Sequence, residues 1–169
     1  MIDLVPIEAV DAQAVECLLD RAFGPDRHGR TAYALRAGTR VLPRLSVAAV
    51  ENGALLGSIQ CWPVWFIADQ PARARVPMVL VGPVAVAPER QQDGIGRRLM
   101  HAALAAAGED ATLMLIGDPE YYARFFDFSA EHTAEWRLPG PVERRRLLAR
   151  GCQVPSGAGT IEPRVAVDA

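Results

Sequence analysis

The sequence contains no lysine: all 18 of its Lys+Arg positions are arginine. Without lysine there is no Schiff base to a cofactor, no phosphate-loop lysine and no lysine general base. Cysteine is also scarce. Cys17, Cys61 and Cys152 stand far apart with no C-x-x-C, which fits a reducing compartment better than a disulfide scaffold. His28, His101 and His132 are equally scattered, so no metal-ligand spacing appears and no metal is expected. No uncharged apolar run reaches the ~18 residues of a membrane span, and the N-terminal MIDLVPIEAV has neither the basic start nor the cleavage site of a signal peptide. The expectation is a cytoplasmic protein with no membrane partner. A basic excess is missing too. The formal net charge is -2, so a nucleic-acid partner is not expected.

What is present is a soluble globular composition of 169 residues, 50% hydrophobic and 22% charged, suited to one domain. The pattern predicts a strand over 2–7, a helix over 8–23 stopped by Gly24-Pro25, and a weaker helix over 31–37. Strands over 45–50 and 54–67, the second interrupted at Pro63, flank Glu51-Asn52-Gly53, where Asn-Gly supplies the positive φ of a tight hairpin. Residues 76–86 are almost wholly apolar, as in a strand buried on both faces. Gly82-Pro83 within it must make the strand bulge or splay, because proline donates no ladder hydrogen bond. After a glycine loop come a helix over 97–107, a strand over 112–116 and a short helix over 119–125. A strand over 129–138, a basic amphipathic helix over 142–150 and a last strand over 164–167 complete the chain. This order predicts one α/β or α+β domain.

The informative segment is 84–99, an apolar strand running through a glycine loop straight into a helix. Exposed N–H groups at a helix start form an anion site, and glycines let a phosphate approach the backbone. A Walker loop would need a lysine, and a dinucleotide fingerprint would need glycine where Leu99 stands. The remaining pattern is Gln91-x-x-Gly94-x-Gly96 after Val84-Ala85-Val86-Ala87-Pro88-Glu89. It resembles the acetyl-CoA motif of the GNAT acetyltransferase family, Q/R-x-x-G-x-G/A following a strand. Gly117-Asp118-Pro119-Glu120-Tyr121-Tyr122-Ala123-Arg124-Phe125 is similar to the G-D-x-x-Y-Y-x-R-F block of its YhbS-like branch. The element order agrees over roughly residues 2–138.

The resemblance implies a GNAT acyl-CoA N-acyltransferase fold: a mixed, mostly antiparallel, splayed sheet flanked by helices. It implies a GNAT domain over 1–140, with 141–169 a C-terminal helix and tail packed on that domain. Acetyl-CoA would be the co-substrate and a primary amine the acceptor, joined by direct attack in a ternary complex of a monomer or homodimer. The amides of Gln91, Gln92, Asp93, Gly94, Ile95, Gly96 and Arg97 would cradle the pyrophosphate, with Arg90, Arg97 and Arg98 adding charge. The backbone of Val84, Ala85 and Val86 would pair with pantetheine and polarise the acetyl carbonyl. Tyr122 would serve the leaving thiolate, with Tyr121 as runner-up, since adjacent helical residues point about 100° apart.

No acidic residue stands in 76–86, so the general base is open among Glu51, Asp69, Glu89, His101 and a water chain. Trp62, Trp65 and Phe66 suit either an acceptor pocket or core packing. Two departures from the family pattern carry expectations. A carboxylate at Asp93 would repel pyrophosphate unless it faces solvent, and Phe126-Asp127 stands where the family has a single glycine, so the turn after the helix should differ. The other reading is a non-catalytic acyl-CoA-sensing module on the same fold.

Overall fold

The first strand, β1, spans Asp3–Pro6, and the helix after it, α1, covers Ala12–Phe23 rather than starting at residue 8. Ile7–Ala9 is a 3-10 turn, and the Asp11 carboxylate accepts from the Gln13 N–H at 3.2 Å. Asp11 therefore caps the helix instead of lying inside it. The next helix, α2, is a single turn, Thr31–Ala34. Strand β2 (Val47–Glu51) turns through Asn52 and Gly53, both at positive φ, into β3 (Ala54–Ala68). Strand β4 (Arg75–Val86), helix α3 (Ile95–Ala107), strand β5 (Leu113–Ile116) and helix α4 (Pro119–Phe126) follow.

The computed structural model describes residues 1–165, arranged as two compact units. The first comprises Met1–Gly29, Val41–Cys61 and Val81–Gly108; the second comprises Arg30–Arg40, Trp62–Leu80 and the chain from Glu109 on. Strands β3 and β4 contribute one half to each. In the first unit β1 pairs antiparallel with β2 (Asp3↔Val50 to Pro6↔Val47), and β2 with β3 (Val47↔Ile59 to Glu51↔Ala54). Its core brings Ile7, Val15, Leu18 and Leu19 against Ala85 and Ala87, with Leu55 at the margin. Burying each large aliphatic side chain there contributes about 1.5–3 kcal/mol. Arg27, 2% exposed, ties the Pro25–Gly29 turn to α1 through Glu16 and through Asp20 at 2.9 Å.

In the second unit β4 pairs parallel with β5 through Val79↔Leu113 and Leu80↔Met114. Strand β3 pairs antiparallel with β8 (Gly159–Pro163), which β6 (Trp136–Arg137) joins in parallel. With β7 spanning Leu147–Arg150, the hydrogen-bonded order is β1-β2-β3-β4-β5-β7, mostly antiparallel, as the fold class requires. The β4–β5 ladder stops at Leu80, at the point where Gly82-Pro83 follows, so β4 continues to Val86 outside it.

Several sequence expectations are corrected. Strand β3 is not interrupted at Pro63: its β2 register ends at Ile59 and its β8 register begins at Val64, so the missing N–H falls between two ladders. The expected strand over 129–138 reduces to Trp136–Arg137 and an isolated bridge, Ser129↔Ala149. The expected basic helix over 142–150 is a 3-10 turn, Arg144–Arg146, followed by strand β7 (Leu147–Arg150). Its apolar Leu147-Leu148-Ala149 is buried and pairs antiparallel with β5, satisfying that strand's other edge. The expected last strand over 164–167 is replaced by β8, and residues 166–167 lie outside the described residues. Helix α3 begins two residues before the predicted start at 97, which brings Ile95 and Gly96 into its first turn.

Candidate functional site

The end of β4 leads through a 3-10 turn, Pro88–Arg90, to Gly94, whose left-handed backbone (φ 75°, ψ 13°) directs the chain into α3. A side chain at that φ would be strained, and glycine removes the penalty. Helices α1 and α4 are capped by the carboxylates of Asp11 and Asp118; among the described residues α3 has no side-chain cap. Its first intrahelical bond runs from Arg98 N to Gly94 O at 3.1 Å. The amides of Ile95 and Gly96 precede that first bond, at the positive end of the helix dipole. Gln91, Gln92, Asp93 and Gly94 are exposed on the approach to them. Below, Ile95, Leu99, Met100 and Ala103 are buried and hold the helix down. A Cβ on Gly57 of β3 would stand 2.9 Å from Ile95 and 3.1 Å from the Ala85 carbonyl, so this glycine permits the close approach of α3.

The charges around the loop are largely partnered. Arg90 binds Asp93 and also donates to Glu51 at 3.0 Å. Asp93 thus presents an offset charge rather than a bare carboxylate, which answers the expected repulsion. Arg98 donates to the Ile2 carbonyl at 3.2 Å, and both Arg97 and Arg98 lie exposed at the helix start. Among Val84, Ala85 and Val86 the strand alternates. Ala85 turns into the α1 core, whereas Val86 Cγ2 lies where a Cβ on Gly96 would meet it at 3.6 Å. Ala85 can therefore offer only its backbone to a ligand.

In the second unit the tyrosine block is built around a glycine. A Cβ on Gly117 would stand 2.5 Å from Tyr122 Cε2, so the ring lies directly on that backbone. The Asp118 carboxylate accepts from the Glu120 N–H at 3.0 Å and starts α4. Tyr122 contacts Tyr121 edge-on (centroids 5.0 Å) and also packs near Phe126 and Phe128. Tyr121 leans on Phe125 and Phe126 at 5.4 and 5.6 Å. Burial pushes the Tyr122 hydroxyl up to about 12, and among the described residues it has no hydrogen-bond partner. The departure after α4 is absorbed locally. Asp127 takes the left-handed position (φ 62°) in glycine's place, and the cap N–H bonds the Tyr122 carbonyl. Aspartate tolerates that region better than most residues.

The candidate bases are occupied or exposed. The Arg90 guanidinium holds Glu51 below the usual carboxylate range, Arg21 does the same to Glu89, and Arg137 grips Asp69 through two bonds of 2.8 and 2.6 Å. His101 is exposed on α3. Phe66, 2% exposed, packs on Trp136 and is core, while Trp62 lies under the Arg36 guanidinium at 3.9 Å and Trp65 faces Arg75 and Arg164. Ser58 and Gln60 of β3 carry no motif or spacing that would mark them in the sequence. Both are buried, and among the described residues Ser58 Oγ and Gln60 Oε1 have no partner. The glycine loop thus assembles at the start of α3 in the first unit, and Tyr121 and Tyr122 assemble on Gly117 in the second.

Residues 12–128 match the model of the acetyltransferase (GNAT) family. The chain is similar to a GNAT family acetyltransferase from Brucella melitensis crystallised with acetyl-CoA, at 27% identity and a TM-score of 0.68 over 96% of this chain and 95% of that one. The GNAT family N-acetyltransferase YhbS from Escherichia coli, crystallised with CoA, shares the fold at 23% identity and a TM-score of 0.68, over 97% and 89% of the two chains. No curated protein matches the sequence. Among the described residues no cluster of three His, Cys, Asp or Glu side chains suits a metal ion, and no helix is long and apolar enough to cross a membrane.

Proposed function

The chain belongs to the GNAT acetyltransferase family, and on that premise we propose that it moves an acetyl group from acetyl-CoA to a primary amine by direct attack. The observation that carries this reading is the start of α3 behind Gly94, which among the described residues has no side-chain cap and follows the end of an apolar strand. A pyrophosphate there gains the amides of 95–97 and the nearby Arg97 and Arg98 without any lysine. Beyond Leu80, the β4 backbone over 81–86 binds the pantetheine amides as an added strand would. A backbone N–H near Val86 donates to the acetyl carbonyl and stabilises the oxyanion.

In the reaction the amine lone pair forms a bond to the carbonyl carbon, and the carbonyl π pair moves to oxygen. Collapse breaks the C–S bond with its electron pair on sulfur, and the proton lost by nitrogen ends on sulfur. Tyr122 serves the departing sulfur. A hydroxyl at about 12 is a far weaker acid than a thiol near 8.5, so full transfer of its proton would run uphill by about 5 kcal/mol. Its role is that of a neutral hydrogen-bond donor to the thiolate, and its unpartnered hydroxyl supports this. Tyr121, knit into the phenylalanines, supports the ring. The occupied carboxylates favour deprotonation of the amine by solvent. They are also what favours the second reading, an acyl-CoA sensor without turnover.

Acetyl-CoA should raise the melting temperature, and an amine panel should give acetyl-CoA-dependent thiol release. Tyr122→Phe is expected to lower turnover about 10²-fold with that stabilisation retained. Thermal stabilisation without thiol release from any amine would favour the sensor, and no stabilisation would sink both.

A further inference from the structure

The edge strand of the first unit borders a cleft that the acetyl transfer does not use. The cleft encloses about 510 Å³, within the ~300–1,000 Å³ of small-molecule sites. Its walls include Leu4 and Pro6 of β1, Val47 of β2 and Ala102 of α3, and Glu8 and Arg44 also line it. Among the described residues that form it, none comes from 81–98.

The apolar wall follows from strand register. Gly57 faces Ile95 and Leu99 of α3. Ala49 stands opposite Gly57 and Leu4 opposite Ala49, so all three share the face that α3 covers. Alternation along β2 adds Val47 to that face, together with its partner Pro6. Ala102 lies seven residues beyond Ile95, about 10 Å along the helix. The cleft therefore runs under the second half of α3, away from the glycine loop. Glu8 follows Pro6 in the 3-10 turn Ile7–Ala9, and Arg44 comes just before β2. Both charges thus enter at the Pro6–Val47 end of the strand pair. Both are exposed, and among the described residues neither side chain has an ion-pair or hydrogen-bond partner.

The strand edge beside the cleft favours a small ligand over another strand. Strand β1 ends the sheet order. Ile7 N donates to Ser46 O at 3.1 Å, so the backbone groups of Asp3, Val5 and Ile7 face β2 and those of residues 2, 4 and 6 face outward. Pro6 has no N–H to offer, and the Ile2 carbonyl already accepts from Arg98 at 3.2 Å. Of the three outward residues, Leu4 alone keeps both groups open. An added strand would need a longer row of donors and acceptors.

We propose that this cleft binds a free α-amino acid with an apolar side chain, as a ligand that does not react. Such a molecule carries its carboxylate and its ammonium on one carbon, matching an arginine and a glutamate brought to one end of the cleft. The Arg44 fork takes the carboxylate, and the Glu8 carboxylate accepts from the ammonium. The side chain runs along Leu4, Val47 and Ala102 and removes apolar surface from water. A simple amine would leave Arg44 unanswered, and a simple carboxylic acid would leave Glu8 unanswered. Because the cleft stands apart from 81–98, the amino acid binds whether or not the chain transfers acetyl groups.

The test is an NMR titration of the full chain at about pH 6.5, without acetyl-CoA, using L-leucine and three analogues. Leucine should bind with a Kd of about 1 mM. Leucinamide lacks the carboxylate, 4-methylpentanoate lacks the ammonium and glycine lacks the apolar tail, and each should bind about tenfold more weakly or worse. Glu8→Gln and Arg44→Gln should each weaken leucine about tenfold. Both positions are exposed, so the melting temperature and its rise with acetyl-CoA should stay at the wild-type values, which separates lost binding from lost folding. No saturable shift with leucine up to about 50 mM, an analogue that binds as tightly as leucine, or an unaltered Kd in either variant overturns the assignment. Acetylation of leucine that falls in step with its binding in R44Q would make it an acceptor, and overturns the non-reacting role. None of these results touches the stabilisation by acetyl-CoA on which the glycine-loop reading depends.

Discussion

Substituting Gly117 by alanine should disable the tyrosine without touching it. The new Cβ would stand 2.5 Å from Tyr122 Cε2 and 2.9 Å from Cδ2, with Leu115 Cδ1 at 3.2 Å. Carbon atoms settle at about 3.5–4.0 Å, so the ring must retreat by about an ångström. It cannot do so freely, because Tyr121, Phe126 and Phe128 crowd it at centroid distances of 5.0, 6.1 and 6.3 Å. Overpacking of this kind costs about 1–3 kcal/mol. The φ of Gly117 is not in the left-handed region, so the backbone accepts alanine and the effect is steric. A misplacement of about 1 Å in a reacting group costs roughly 10²-fold in rate. The assay is steady-state thiol release together with thermal unfolding in the presence and absence of acetyl-CoA. Turnover should fall about 10²-fold with the acetyl-CoA shift preserved. In a Tyr122→Phe background the ring remains, so the stability cost should persist while the further loss of turnover vanishes. G117A turnover within twofold of wild type, or an additive loss in the double variant, would refute the role given to the hydroxyl.

Gly57→Ala places a methyl 2.9 Å from Ile95 and 3.1 Å from a backbone oxygen that cannot step aside. It should lower the melting temperature by about 2–12 °C and weaken stabilisation by acetyl-CoA, since Ile95 opens α3. Alkaline stability should decline in a defined window. Burial raises the Cys61 thiol from 9.0 and the Tyr122 hydroxyl from 10.0, each to about 12. The folded state holds both protons more tightly, so their contribution is full below about pH 9 and is lost as the pH rises toward 12. Cys61 accounts for about 4 kcal/mol of that loss, and Cys61→Ala should delay its onset to about pH 10 in denaturant titrations. An onset unmoved by this substitution would contradict the burial argument.

Locally encoded features were legible in the sequence. The Asn52-Gly53 hairpin, the stop at Gly24, the apolar run of β4 and the glycine loop all appear where local chemistry puts them, because each depends on a residue and its immediate neighbours. The absence of lysine is likewise legible at once, and it leaves arginine as the cationic side chain near the start of α3. Features that depend on distant partners were not legible. Leu147–Arg150 has a helix-like pattern and becomes a strand because β5 presents an unpaired edge. Three carboxylates that read as candidate bases are ion-paired by arginines 39, 68 and 68 positions away in the chain. Asp93, which read as a repulsive charge, is offset by Arg90, and Asp127 replaces a glycine by adopting its backbone angle. Glu8 and Arg44 line one cleft only once β1 has paired with β2. Side-chain type sets what a residue is able to do. Burial and pairing, which arise only when remote segments meet, decide which of those capacities remains available.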